Sequence, residues 1–105
     1  NNPAIKILTS TYTLVLTPRT LEDHLASLQA CWLQYRQSGD FEGFVEFTLA
    51  LHCLAEQMNR LHLPGLVRQC ESLESAALSL FGDPESHPIP EQNQATLARQ
   101  IDNLL

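Results

Sequence analysis

A chain of 105 residues with 44% apolar content has room for one domain and one core, and is too apolar for wholesale disorder. Its formal charge is −6, and its six basic residues are scattered along the chain. With no basic patch, nucleic acid and anionic membrane surfaces are poor partners.

Residues 4–16 (AIKILTSTYTLVL) form an N-terminal extension, set as 1–16. Their Ile, Thr, Tyr and Val lean toward strand. The same residues also make a short helix with Ile5, Leu8, Tyr12 and Val15 on one side. Both forms stay open, as does packing across the rest of the domain or against a second copy.

Residues 17–105 form the domain proper. Thr17-Pro18 reads as a helix start, a hydroxyl cap followed by proline in the first turn, where Glu22 and Asp23 suit the positive helix end. Leu21, Leu25, Leu28, Trp32 and Tyr35 then keep a heptad step. Ser38-Gly39 stops this helix and Asp40 caps the next. From Phe41 to Leu63, the residues Phe44, Phe47, Leu51, Leu54, Met58 and Leu61 recur at steps of 3, 4, 3, 4 and 3. That spacing is one apolar stripe on a long helix. His52 lies one residue off the stripe, so its ring should reach solvent from the edge of the buried face.

A further helix covers about 65–81, striped by Leu66, Cys70, Leu73, Ala77 and Leu80 and closed by Gly82 and Pro84. Residues 83–90 hold three prolines and read as a loop. A last helix runs from about Glu91 to Leu105 with Leu97, Ile101 and Leu104 inward. Four amphipathic helices on short turns imply an all-α fold, an antiparallel four-helix bundle with an N-terminal extension. The apolar ending Leu104-Leu105 suggests a piece of a longer protein.

No stretch reaches the ~18 apolar residues of a membrane span, and the start lacks a secretion-signal pattern. Cys31, Cys53 and Cys70 are odd in number and form no C-x-x-C pair. They read as free, buried, reduced thiols of a cytoplasmic protein. Trp32, Tyr35, Phe44 and Phe47 read as core, and Glu71 and Glu74 as a solvated face. His24 reads as half-buried, His62 as a helix-end residue favoured by the dipole, and His87 as an uninformative loop residue. Adjacent His52 and Cys53 point to different helix faces, Glu-x-x-His pairs are absent, and no glycine-rich phosphate loop or nucleophile triad exists. No metal or cofactor is expected.

The run His52-Cys-Leu-Ala-Glu-Gln-Met-Asn-Arg-Leu61, followed by Leu66 and Cys70-Glu-Ser-Leu-Glu74, resembles the histidine phosphotransfer (Hpt) family. Gly39-Asp40 matches the Gly-Asp turn common before that family's histidine helix. The resemblance spans about residues 20–105. It implies a helical bundle that shuttles a phosphoryl group between receiver domains of a bacterial phosphorelay. His52 then takes the phosphoacceptor place and Leu54 the buried leucine beside it, while Leu61, Leu66, Leu73 and Glu74 match downstream bundle positions. The expected partner is a receiver domain, in cis or in trans, and a homodimer is a further possibility. Ala55, Glu56, Asn59 and Arg60 would line the docking surface and modulate the site.

Three positions depart from the family pattern. Ala55 stands where the family has lysine, Glu56 where it has glycine, and His62 where a second glycine is usual. The nucleophile of such a carrier is a neutral imidazole, which wants a cation for the phosphoryl oxygens and room for the receiver. Ala55 removes the cation, and Glu56 puts a carboxylate about 6 Å away on the same helix face. Arg60 and Arg68 are the nearest candidates to compensate. Three readings follow: a carrier working through His52, a phosphorylation-incompetent pseudo-carrier serving as an interaction or dimerisation module of a larger signalling protein, or a plain helical bundle with an unrelated structural role.

Overall fold

The structure, a computed structural model, describes residues 20–105. The extension 1–16 and the Thr17-Pro18 helix start lie outside the described residues. Within them the chain is all-helical, with four α-helices and no strand: α1 (Leu21–Ser38), α2 (Phe41–Arg60), α3 (Pro64–Ser79) and α4 (Glu91–Leu104). A short 3-10 turn, Pro84–Ser86, interrupts the loop between α3 and α4.

The helix ends follow from local chemistry. Thr20, rather than Thr17, caps α1: its hydroxyl accepts from the Asp23 amide, and the Asp23 carboxylate reaches back to the Thr20 amide. This Thr-x-x-Asp capping box was legible in the sequence and was missed there. Gly39 closes α1 in the left-handed region at φ 67°, where a side chain would be strained. Asp40 caps α2 by accepting from the Gly43 amide at 2.8 Å. A Cβ on Gly43 would sit 2.9 Å from that capping oxygen, so the position has little room for one. Helix α2 stops at Arg60, three residues short of the sequence expectation, because His62 turns left-handed at φ 57°. Pro64 then opens α3, where its missing amide hydrogen costs nothing.

Helix α2 lies at the centre, packed on α1 and on α3, and α4 packs on α3. Its stripe fills the core as expected: Phe44, Phe47, Leu51 and Leu54 are fully buried and Met58 nearly so. Leu28, Trp32, Tyr35, Cys70, Leu73, Ala77, Leu97, Ile101 and Leu104 meet it from the other helices. Leu61 does not join them; it is the C-cap of α2 and exposed. Nor are all three cysteines buried: Cys70 is, Cys31 is half-buried, and Cys53 is exposed. No helix among the described residues is long and apolar enough to cross a membrane.

At one end of the molecule an aromatic knot ties the α3–α4 loop to α1 and α2. The Phe81 carbonyl accepts from His87 Nε2 at 2.7 Å, which leaves His87 Nδ1 to accept from the Tyr35 hydroxyl at 2.7 Å. That hydroxyl in turn accepts from the Ile89 amide at 2.9 Å. The His87 ring stacks among Phe41, Phe44 and Tyr35, with centroids 5.4, 4.9 and 5.7 Å away. Burial raises the Tyr35 phenol, with a further push from Asp40 against the lowering bond from Ile89, so it keeps its proton and acts as donor. Buried Gln94 secures the same loop by donating to the Ile89 carbonyl at 2.9 Å.

Candidate functional site

His52 emerges from the middle of α2, on the side facing α3. Its neighbours Leu51 and Leu54 are buried, and that packing fixes the helix rotation that turns residue 52 outward. Its side chain keeps 57% of its accessible surface, so the ring stands at the rim of the core and open to solvent.

Two carboxylates hold the ring. Glu74 of α3 brings Oε2 to 3.1 Å from Nδ1, and Glu56, one turn along α2, brings Oε1 to 3.2 Å from Nε2. The pairs differ in character. The Glu74 side chain is only 22% exposed and reaches across a helix interface, which limits its rotamers. Glu56 is 55% exposed and lies on the same helix as His52. Together they raise the His52 pKa above its ordinary value of 6.5, chiefly through the hydrogen bond and charge of Glu74 and then the charge of Glu56. The imidazole is therefore biased toward the cation, in which each ring N–H donates to one of the two carboxylates.

The other expected site residues scatter. Ala55 is buried at the edge of the core, unlike the exposed position the sequence suggested. It sits three residues from His52, on the inward side of the turn. Glu56, Asn59 and Arg60 are exposed, and Glu56 alone of the three is paired with His52. Asn59 turns instead toward the α2–α3 connection, where it lines an open cavity of about 510 Å³ with His62, Leu63, Pro64, Val67 and Arg68. Arg68 thus faces the far end of the hairpin rather than the imidazole.

Glu74 is the residue that reading the sequence for surface charge misjudged: it is a half-buried partner of His52, not a solvated face. Its signal was present, since Glu74 sits one residue after the buried Leu73 and so at the edge of the α3 stripe. The thiols add no second site. Cys70 donates weakly to the Leu51 carbonyl at 3.6 Å, and burial with the charges of Glu74 and Glu71 pushes its pKa up to about 12. Burial, then Glu46, raises Cys31 as well. Among the described residues no cluster of His, Cys, Asp and Glu could hold a metal ion.

No family model, no curated protein and no solved structure matches this chain. Any functional reading therefore stands on the residues themselves.

Proposed function

We propose that this chain is an Hpt-like signalling domain, an antiparallel four-helix bundle that docks a receiver domain in the cytoplasm and carries a phosphoryl group on His52. The observation that carries the reading is the exposed His52 ring, held through Nδ1 by Glu74 of the neighbouring helix. Two of the matched family positions, 22 residues apart, are in hydrogen-bond contact. A third feature supports it: residue 62, where the family uses glycine, has the left-handed backbone that favours glycine. The short connections 39–40 and 61–63, between helices that pack on one another, support an antiparallel arrangement of α1, α2 and α3.

In this reading Glu74 accepts the Nδ1 hydrogen, which leaves Nε2 as the nucleophile. The Nε2 lone pair attacks the phosphorus of a receiver's aspartyl phosphate as the acyl P–O bond breaks. The aspartate leaves with the bonding electrons, and Glu74 stabilises the positive phosphorylated ring. The test is label transfer from a phosphorylated receiver. Acid-labile label on the wild type, absent from His52→Gln, is the expected result; equal label on both ends the reading.

The pseudo-carrier reading has one specific observation behind it: Glu56 occupies the nitrogen that would take the phosphoryl group, and Ala55 supplies no cation. It expects receiver binding or self-association that survives His52→Ala. A monomer by light scattering, together with no binding to any receiver, would remove it.

A further inference from the structure

We propose that Glu56 is a gate on His52: its carboxylate holds the Nε2–H of the protonated ring and repels phosphoryl charge from Nε2 of the neutral one, and the site opens when a cationic group from outside draws that carboxylate away. The inference rests on the carrier reading for its biological meaning, but its physical content is independent of any receiver.

Three observations carry it. First, the ring has two nitrogens and two carboxylates, and the carboxylates are not equivalent. Glu74 comes from a second helix and is mostly shielded, whereas Glu56 is mostly exposed. A more exposed side chain has more rotamers to leave by; one shielded at a helix interface has fewer. Second, Nδ1 points toward α3, so Nε2 is the nitrogen left for chemistry, and Glu56 Oε1 is 3.2 Å from it. The Nε2–H of the protonated ring holds that contact; once the ring is neutral the carboxylate is no longer bonded there, but its charge still stands beside Nε2. Third, the nearby charges that act on His52 are both negative: Glu56 from its own helix and Glu74 from α3, with Glu71 one turn from Glu74 acting on Cys70. An incoming phosphoryl dianion is repelled at the site until a counter-charge arrives. The partner that opens the gate therefore presents a lysine or arginine opposite Glu56, which makes residue 56 a specificity determinant.

The test uses phosphoramidate, a small phosphoryl donor that brings no protein cation. In the reaction the Nε2 lone pair forms the N–P bond while the P–N bond of the donor breaks. Ammonia departs with that electron pair and its three hydrogens, and the Nδ1 hydrogen stays on the ring beside Glu74. Rates are compared at a pH above the His52 titration of every variant, located by NMR, so that the ring is neutral throughout. Glu56→Gln keeps the size and removes the charge.

The expected result, at low ionic strength, is faster phosphorylation of Glu56→Gln than of wild type by about threefold to tenfold, the scale of an unscreened repulsion between a carboxylate and a phosphoryl donor of charge −1 to −2 at about 6 Å in water. His52→Gln remains unlabelled. At about 1 M salt, where the Debye length shrinks to about 3 Å, the wild-type rate rises toward that of Glu56→Gln. Equal rates for wild type and Glu56→Gln, or no label on Glu56→Gln, overturn the gate. Label from phosphoramidate but none from any phosphorylated receiver instead sinks the carrier reading and leaves the gate standing.

Discussion

His52 and His87 both border α2, and their surroundings are opposite. His87 is a half-buried loop residue, ringed by Phe41, Phe44 and Tyr35, with each nitrogen assigned one neutral hydrogen-bond partner. His52 is an exposed helix residue whose nitrogens each face a carboxylate. The first arrangement spends its polar groups on holding a loop and leaves no reactive nitrogen facing outward. The second sets one nitrogen against a half-buried carboxylate and the other against an exposed one.

The sharpest contrast between interior and rim is in the thiols. Cys70, with its pKa pushed up to about 12, should react with a thiol reagent about a thousandfold more slowly than an ordinary cysteine near neutral pH. Exposed Cys53, adjacent to His52, should label first. Time-resolved mass spectrometry under native conditions checks the order, and rapid Cys70 labelling would mean that the α2–α3 interface opens readily.

Phe44→Ala at the aromatic end should destabilise the fold by about 3–5 kcal/mol, seen as a lower urea midpoint, because the ring is fully buried. Tyr35→Phe keeps the ring but strands the Ile89 amide and His87 Nδ1. A loss of about 1–3 kcal/mol should follow, with no change in the His52 titration. An unchanged midpoint would show that the knot is not holding the loop.

His62→Gly should stabilise the domain by about 1 kcal/mol, since φ 57° strains a residue with a Cβ and suits glycine. A loss of stability would mean that the His62 side chain does more for the turn than its backbone costs.

The smallest effect concerns the rim itself. His52 should titrate above 6.5, and Glu74→Gln should lower that value more than Glu56→Gln does, as NMR of the ring protons can resolve. Because the folded value is the raised one, the two ion pairs stabilise fully below the unfolded value of about 6.5 and fade as pH rises through the folded one. The stability difference between wild type and His52→Gln should shrink over that alkaline window. A difference that grows with pH would reverse the sign of the argument.

Much of the fold was legible because it is carried by local rules. The α2 stripe from Phe44 to Met58, the Gly39 stop and the Asp40 cap each depend on residues within one or two turns. The misjudged positions share a different cause. Leu61 belongs to the stripe by spacing but falls past the helix end, which the left-handed turn at His62 sets. Ala55 and Cys53 flank His52 within three residues, yet one is buried and the other exposed, because α1 and α3 cover only part of the helix circumference. His87 looked uninformative since a loop has no periodicity to read.

By itself, then, the amino-acid order determined the four helices of the described residues, the caps of α1 and α2 and an outward His52, since capping and amphipathic spacing act through near neighbours along the chain. Only tertiary packing decided that Glu74 meets His52 across 22 residues and that Tyr35 reaches His87 and Ile89 across 52 and 54. Those pairings depend on how one helix is rotated and shifted against another. That register is set by the fit of many buried side chains at once, and no single window of sequence contains it.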